Sequence, residues 1–534
     1  MNQNGKPTEK IADQIVAAAA GGAALLSLLI LLFNVVTHFP FYDETVHVHY
    51  LWELSIGMKP GTDFLCIYPV LGYLLSLPFL RMFPESAFVI LGLRFLSVIL
   101  VVLIGIVFYR HGRRVSGDWT MTVLAYALIV KASALGAFLS EYSIDHMAAL
   151  SALSALLIMF REPRPRAIAL ASALATVSVV LTPKYPLPLV FAMLGHLLSY
   201  FLQHRRIGSA LAAASAGVFA AAAVIVVLYW ANGISLSENI RHSYLLQYRW
   251  SSRFMTYGFQ SGLAPLLSAI LAFFRRNPVA GIIIAVGLAG WARRSWRNPD
   301  AAALTGAGLL LGILVSSLLI KDFVSQYLAP RVFCLVFFVP YISSLLPRPG
   351  ALNLLRLGIA AAAIMTLTFQ MDRIADNFDE VPLNMRAATK THTSRLGKPD
   401  MAPIGILALS DYDAILDIVP DDERVVAVWP YHPVFRRDQT QIATDDLPSY
   451  ATVLPLDDPM REAFNPYRYR ESLENTPPAL INMNRMRYNY PPGWQAATED
   501  FLRAHGDWYA ERRTRLFQYY LRRDLVERYE RGAP

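Results

Sequence analysis

The sequence predicts a polytopic α-helical membrane protein with a small α/β domain at its carboxyl end. Of its 534 residues, 55% are hydrophobic and only 16% are charged, and the mean hydropathy is +0.37. This composition is too apolar for a soluble enzyme of the same size. Long apolar runs recur as far as residue 371 and then stop, while Asp, Glu, Pro and Tyr become more frequent. The change predicts a membrane domain over 1–371 and a separate domain over 372–534.

The first apolar run, 15–36, has the roughly 20 residues that a membrane-spanning helix needs, so we interpret it as a retained anchor rather than a signal peptide. Ten shorter or similar runs follow, which makes about eleven spans. The least certain stretch is 262–292, which holds one span or two. The later runs are 88–108, 119–138, 147–160, 167–181, 187–202, 210–230, 279–291, 303–320, 327–346 and 357–371.

Basic residues give the orientation, because cytoplasmic loops of membrane proteins are enriched in Lys and Arg. Five basic tracts lie on one side if 263–274 runs along the outer surface and a single span follows it. The amino terminus is then inside, and the outer face carries residues 37–84, 140–145, 182–185, 232–276, 321–326 and everything after 371. The basic tracts are 110–114, 161–166, 204–206, 293–297 and 348–356.

The net charge of +8 and the pI near 9.3 do not indicate a nucleic-acid partner, because these tracts separate apolar runs. The lipid bilayer is the expected partner. Two cysteines, Cys66 and Cys334, are too few for a disulfide framework, so we expect no structural disulfide.

The domain over 372–534 has about 160 residues, an ordinary size for one domain. Two short apolar segments, 424–429 and 478–482, predict buried strands. The segment 494–509 has apolar residues at helical spacing, which predicts a helix. We therefore expect a compact α/β domain on the outer face.

Polar residues concentrate in the first outer loop, 37–84. Asp43 and Glu44 follow the first span directly, so Asp43 lies near the interface, where partial shielding favours a general base. The segment 68–79 then returns toward the membrane as an amphipathic stretch that begins at Tyr68. A second loop, "SEYSID", adds Glu141 and Asp145.

His47 and His49 raise the question of a metal, since carboxylates stand nearby. Histidines two residues apart face different sides of a helix, and no further His or Cys cluster completes a ligand set. We therefore predict that no cofactor is required. A divalent metal held by Asp43, Glu44 and His47 remains the alternative. An orienting hydrogen bond is the preferred role for His47, and His49 is expected at the membrane interface.

The first outer loop resembles that of membrane glycosyltransferases of the GT-C fold. The nearest groups are bacterial relatives of the protein O-mannosyltransferases and the lipid A aminoarabinose transferases. The loop departs from them at Tyr68-Pro69-Val70, where they often have His-Pro-Pro or Lys-Pro-Pro. The matching residues are Asp43, Glu44, His47, Trp52, Gly57, Pro60, Asp63, Phe64, Pro69 and Pro78.

Three weaker matches extend the resemblance. "SEYSIDHMAAL" places an acidic residue of the family at Asp145, "LTPKYPLPLV" places a lysine at Lys184, and "QYLAPRVF" places Arg331 just inside a span. The resemblance implies that Asp43 is the catalytic base, with Glu44 and Asp145 orienting hydroxyl groups. Lys184 and Arg331 would then hold the donor phosphate. The residues expected to position acceptor or sugar are His47, Asp63, Glu141 and Tyr68.

The implied activity is transfer of a sugar from a polyprenyl-phosphate donor to an extracytoplasmic acceptor, with inversion. The acceptor is a glycolipid such as lipopolysaccharide, a polysaccharide or a protein. The implied location is the bacterial inner membrane, with the site and the carboxyl-terminal domain in the periplasm. Two alternatives remain, a transporter or flippase of lipid-linked saccharides and a non-catalytic glycan-binding envelope protein. A transporter is disfavoured because no internal repeat is visible and the ionisable residues gather at one interface.

Overall fold

Helices dominate the chain as far as residue 366, because a backbone inside a bilayer must satisfy its own hydrogen bonds. The computed structural model describes sixteen segments of the chain. These are residues 7–37, 42–82, 86–117, 119–130, 139–254, 270–272, 274–275, 277–319, 325–345, 352–366, 405–428, 431–440, 450, 452–483, 493–514 and 517–532.

Eleven apolar helical stretches coincide with the predicted spans. Five are long and apolar enough to cross a membrane: Ile11–Val36, Val89–Val115, Pro186–His204, Ile207–Ala231 and Ala301–Leu318. The prediction of a polytopic helical protein is confirmed, whereas the number of spans stays a prediction. The helices are α1 (Pro7–Thr37), α4 (Val89–Val115), α5 (Thr120–Val130), α6 (Ile144–Met159), α7 (Pro165–Leu181), α8 (Pro186–His204), α9 (Ile207–Ala231), α12 (Pro278–Arg297), α13 (Ala301–Leu319), α14 (Ser325–Val336) with the one-turn α15 (Ile342–Leu345), and α16 (Leu352–Thr366).

Helices α8 and α13 pack closely because glycines remove side chains where their backbones meet. A Cβ atom on Gly195 would lie 2.2 Å from the carbonyl oxygen of Leu304, and one on Gly308 would lie 2.1 Å from that of Phe191. Small residues at such crossings are how helices associate in lipid, where burial of apolar surface supplies little drive.

Two helices form the first outer loop, α2 (Tyr42–Ser55) and α3 (Leu71–Leu80). The predicted re-entrant stretch is thus helical, and most of its side chains are buried. The second long outer segment contains α10 (Leu236–Ile240), a π-helical stretch (Arg241–Leu246) and α11 (Gln247–Phe254). Most of the predicted outer stretches 263–274 and 321–326 lies outside the described residues.

The carboxyl-terminal domain contains one mixed sheet with strand order β2-β1-β3-β5-β4. Strand β1 is parallel to β2 and β3, while β5 is antiparallel to β3 and β4. The elements are α17 (Gly405–Leu416), β1 (Arg424–Val426), β2 (Arg437–Asp438), a 3₁₀ turn (Pro459–Phe464), α18 (Pro466–Asn475), β3 (Leu480–Ile481), α19 (Trp494–His505), β4 (Tyr509–Arg513), β5 (Gln518–Arg522) and α20 (Arg523–Glu530).

Both predicted strands are confirmed, as β1 and β3. The predicted helix over 494–509 is wrong at its end, because the helix stops at His505 and Tyr509 begins β4. The side chain of Tyr509 is buried, and its hydroxyl donates to the carbonyl of Pro478 at 2.8 Å. Tyr509 fits the helical spacing of apolar residues only because the first buried residue of the strand falls at that position. The predicted domain boundary at 371 lies outside the described residues.

Helix α17 joins this domain to the membrane helices. The carboxylate of Asp413 accepts from the amide of Ala87 at 2.6 Å and from the hydroxyl of Ser86 at 2.9 Å. These contacts satisfy donors at the start of α4, where backbone amides lack helical partners. The domain thus lies against the end of α4, and α2 lies between it and the membrane helices.

Candidate functional site

Helix α2 carries three of the nine predicted site residues, Asp43, Glu44 and His47. Asp43 and Glu44 lie in its first turn, where the helix dipole favours negative charge. Residues two apart on a helix point to different sides. His47 consequently faces Tyr73 of α3, whereas His49 faces Asp438 of the carboxyl-terminal domain.

Glu44 forms a fully buried ion pair with Arg94 of α4. Arg94 Nε donates to one carboxylate oxygen at 2.8 Å and Nη2 to the other at 2.5 Å. The amide of Tyr142 donates to Glu44 at 2.9 Å, and Arg94 Nη1 donates to the carbonyl of Val35 at 2.8 Å. Both side chains are 0% exposed. The pair therefore ties α1, α2, α4 and the second outer loop together.

His47 lies in an aromatic setting between α2 and α3. Its Nδ1 and the hydroxyl of Tyr73 are 2.6 Å apart, and its ring centroid is 4.5 Å from that of Tyr68. Burial lowers the pKa of His47 to about 3, although the nearby charge of Asp145 opposes the shift. The imidazole is accordingly neutral at ordinary pH. It therefore shares a hydrogen bond with the hydroxyl of Tyr73 and does not form an ion pair.

Asp145 and Lys184 form an ion pair on the same side of α2 as His47. Asp145 lies in the first turn of α6, where its amide donates to the Ser143 side chain at 3.2 Å. Lys184 lies in the short connection between α7 and α8 and donates to Asp145 Oδ2. The side chains of Asp145 and Lys184 are 14% and 10% exposed, so little water reaches either group. The structure thus brings together three predicted residues from three outer segments.

Asp43 is half-buried, one residue before the ion-paired Glu44. Glu141 is buried beside Arg94, whose charge it faces. Arg331 is also buried, and its Nε donates to the hydroxyl of Ser317 across α13 and α14 at 3.1 Å. The positions of Asp43, Glu141 and Arg331 do not test the roles predicted for them, which stay predictions.

Asp63 is exposed, and its carboxylate accepts from the amide of Lys59 at 2.8 Å. This bond orders a tight turn in which Gly61 has φ of 84°, in the left-handed region that favours glycine. Asp63 thus has a local contact within the loop between α2 and α3, and its predicted positioning role is untested.

A second group of ionisable residues lies on the opposite side of α2. His49 Nε2 is 3.0 Å from Asp438 Oδ2 and 3.4 Å from Glu53 Oε1, and His432 Nε2 is 3.3 Å from Asp438 Oδ1. Burial opposes charge on His49, yet Glu53 and Asp438 raise its pKa to about 10. The expectation that His49 is interfacial is wrong, because the carboxyl-terminal domain covers it completely.

Four further buried ionisable residues at α2 were not predicted from the sequence: Arg94, Glu53, His432 and Asp438. Arg94 could have been found from the sequence, because a charged residue within an apolar run usually has a partner and a role. Glu53 could also have been found, since it stands four residues after His49 and therefore on the same helix face. His432 and Asp438 could not, because their proximity to α2 depends entirely on how the domain docks.

A separate cavity of about 300 Å³ lies between the π-helical stretch and the carboxyl-terminal domain. His242 is buried there, with Nε2 3.1 Å from Asp458 Oδ2. Arg241 Nη1 lies 3.8 Å from the same carboxylate oxygen. The cavity is lined by Arg241, His242, Leu245, Leu246, Arg249, Leu454, Pro455, Asp457 and Asp458.

No protein-family model matches the chain, and neither does any curated protein. Among solved structures, it is similar to ArnT from Cupriavidus metallidurans bound to undecaprenyl phosphate, at 14% identity over 73% of this chain and 68% of that chain, with a TM-score of 0.45. The apo state of that ArnT matches at 16% identity over 74% and 69%, with a TM-score of 0.45. The apo oligosaccharyltransferase of Archaeoglobus fulgidus matches at 13% identity over 93% and 73%, with a TM-score of 0.48.

Identities of 13 to 16% say nothing about substrate. The function is therefore argued from the residues of this chain.

Proposed function

We propose that this protein is an integral-membrane glycosyltransferase of the GT-C type that uses a polyprenyl-phosphate sugar and transfers the sugar to an extracytoplasmic acceptor with inversion. One observation carries the proposal. His47, Asp145 and Lys184 come from three separate outer segments and lie together beside α2. The resemblance to GT-C glycosyltransferases assigns the three residues to one site, His47 through the first loop and Asp145 and Lys184 through two weaker matches.

In the proposed reaction, the acceptor hydroxyl oxygen attacks the anomeric carbon of the donor. The bond between that carbon and the phosphate oxygen breaks, and polyprenyl phosphate leaves with the electron pair. The proton of the acceptor hydroxyl passes to the carboxylate of Asp43. Its half-buried position at the amino end of α2 supports this role, because partial shielding from water favours the neutral acid that the transfer produces.

Lys184 is the proposed partner of the departing phosphate. A cation aimed at an oxygen that gains negative charge lowers the barrier most where water is largely excluded. Lys184 is 10% exposed and paired with Asp145, so its ammonium is held in place before substrate binds. Asp145 then acts mainly by positioning Lys184. Arg331 is the proposed second phosphate contact, and it lies too deep to touch solvent freely.

Glu44 is proposed to act through structure rather than by touching substrate. Its two oxygens already accept from Arg94 and from the amide of Tyr142. The contacts fix the first turn of α2 and hence the direction of Asp43. His47 is proposed to orient a substrate hydroxyl through the ring nitrogen that does not face Tyr73, and Tyr68 packs against the same ring.

The decisive experiment is mass spectrometry of envelope glycolipids, polysaccharides and glycoproteins from a strain lacking the gene. Loss of a single-sugar mass from one class would identify the sugar and the acceptor together. The wild-type gene should restore that mass, whereas Asp43→Asn should not, although the variant protein accumulates normally in the membrane.

Glu162→Gln is the control, because it removes an 81% exposed carboxylate that pairs with the exposed Arg164 at 3.6 Å and has no place in the proposed site. It should restore the modified product. Full restoration by Asp43→Asn would exclude Asp43 as the base. An unchanged profile in the deletion strain, with accumulation of a lipid-linked saccharide on the inner leaflet, would favour the flippase alternative.

A further inference from the structure

A cleft of about 420 Å³ opens at one end of the sheet in the carboxyl-terminal domain, and we name it the sheet-end cleft. Strands β4 and β5 pair there, with Tyr509 opposite Arg522. The next residues outward, Trp508 and Arg523, therefore leave the sheet side by side. Strand β4 is the edge opposite β2, whose Asp438 contacts α2. The sheet-end cleft is lined by Pro477, Asp507, Trp508, Arg522, Arg523 and Asp524.

Trp508 presents an aromatic surface to the sheet-end cleft. It is 42% exposed, although its ring centroid lies only 4.1 Å from that of His505, with the two planes tilted by 32°. His505 thus covers one face of the indole, and the cleft borders the part that His505 leaves open. His505 Nε2 lies 2.9 Å from Glu474 Oε2, and the ring of Phe501 meets the indole edge-on at 6.4 Å. The indole is therefore supported from behind, which reduces the entropy that a ligand loses by ordering it.

Three polar groups at the sheet-end cleft have no hydrogen-bond or ion-pair partner among the described residues. They are the indole N–H of Trp508, the carboxylate of Asp507 and the guanidinium group of Arg523. All three residues are exposed. One such group alone is ordinarily just solvated, but these three surround a single aromatic surface. Together they supply both hydrogen-bond donors and acceptors to a ligand in the cleft.

Asp524 adds a carboxylate whose direction is fixed. Arg522 Nε donates to its Oδ1 at 2.8 Å, and Arg522 Nη2 donates to its Oδ2 at 3.2 Å. Arg522 is held in turn by Glu423, to which Nη2 donates at 2.5 Å, and by the carbonyl of Pro477 at 3.2 Å. The Asp524 side chain is nevertheless 52% exposed, so its oxygens keep lone pairs that a ligand can reach.

The charge of the sheet-end cleft indicates which ligand it takes. The carboxylates of Asp507 and Asp524 balance the guanidinium groups of Arg522 and Arg523, so the cleft favours neither a phosphate nor a polycation. A pyranose sugar matches the remaining chemistry. Its apolar C–H face stacks on an indole such as that of Trp508, while its hydroxyl groups donate to carboxylates and accept from N–H groups. The cleft volume is within the range of about 300–1,000 Å³ that is usual for small-molecule sites.

We propose that the sheet-end cleft binds an uncharged saccharide, with one pyranose ring stacked on Trp508 and its hydroxyl groups bonded to Asp507, Arg523 and Asp524. The cleft adjoins the edge strand opposite the one that meets α2, so this site is separate from the proposed transfer site. The carboxyl-terminal domain thereby holds a glycan of its own. The proposal does not depend on sugar transfer.

The test is saccharide binding by the full-length protein in lipid nanodiscs, because detergents with sugar headgroups would compete for the cleft. An array of neutral and acidic oligosaccharides identifies the best-bound neutral one, and calorimetric titration gives its affinity. We expect neutral oligosaccharides to bind in preference to acidic ones. Trp508→Ala should weaken binding at least about tenfold. Tyr467→Ala is the matched control, because it removes an 85% exposed aromatic side chain of the same domain outside the cleft, and it should bind as the wild type does.

A second variant keeps the test valid if Trp508→Ala unfolds early. Asp507→Asn combined with Arg523→Gln leaves the net charge and the indole unchanged, and neither side chain has a partner in the described part of the chain. It should unfold at the wild-type temperature and bind the neutral oligosaccharide about tenfold more weakly. A wild-type protein that binds no neutral oligosaccharide, or that prefers acidic ones, would overturn the proposal. Undiminished binding by the double variant would overturn it as well.

Discussion

Arg94 Nε and Nη2 donate to the two carboxylate oxygens of Glu44, at 2.8 and 2.5 Å, in a pair that is wholly removed from water. The pair joins residues 50 positions apart, one at the start of α2 and one within α4. Its geometry makes α2 a fixed platform on which Asp43 and His47 face one side and His49 the other.

Breaking this pair should destabilise the protein strongly, because the remaining charge is buried without a partner. Glu44→Gln or Arg94→Gln alone should each cost about 3–5 kcal/mol. The double variant, Glu44→Gln with Arg94→Gln, should lose less than either single variant, since two neutral amides can still serve the Tyr142 amide and the Val35 carbonyl. Thermal unfolding in detergent measures all three. Additive losses would show that the two side chains do not act as a pair.

Lys184 should matter for chemistry more than for folding. We expect Lys184→Met to lower the rate of glycan transfer by about 100- to 1,000-fold, the usual effect of removing one group that stabilises developing negative charge. Lys184→Arg should keep part of the activity. The rate is measured by product formation in isolated membranes once the acceptor is known. Lys59→Met removes an exposed lysine of the first outer loop and should have no effect.

The short contact between His47 and Tyr73 should contribute to activity as one unit. Tyr73→Phe removes a hydroxyl 2.6 Å from His47 Nδ1 and should lower transfer by about tenfold or less, since one such bond contributes about 1 kcal/mol. His47→Asn should lower it at least as much. The two changes together should not exceed the larger single effect. A multiplicative loss in the double variant would mean that the two side chains act separately.

The crossing of α8 and α13 should not accept a side chain at its glycines. Gly308→Leu directs a Cβ atom to within 2.1 Å of a backbone carbonyl oxygen, and it should destabilise the protein by at least about 1–3 kcal/mol. Gly208→Ala, in the first turn of α9, is the control, because nothing lies within 4 Å of its added Cβ. It should be neutral or slightly stabilising. Comparison of the two unfolding temperatures checks the prediction.

The sequence by itself determined the membrane architecture, and it predicts that the candidate site lies on the outer face. Hydropathy and charge depend on local composition, so they marked the apolar helices and the loops without knowledge of packing. Two weaker matches of the resemblance, each beside an apolar run, indicate Asp145 and Lys184. Helix α19 shows the limit of local pattern, since Tyr509 fits helical spacing and yet belongs to β4.

Only the tertiary structure decided which side chains meet. The resemblance gives Glu44 a hydroxyl-orienting role beside the base Asp43, but packing of α2 on α4 pairs Glu44 with Arg94 and leaves Asp43 half-buried. His49 and Asp438 lie 389 positions apart, and no property of either residue indicates the other. Such contacts depend on how helices and domains are oriented against each other, which is set by the whole packed interface. The local composition of a segment does not depend on that orientation and so cannot predict it.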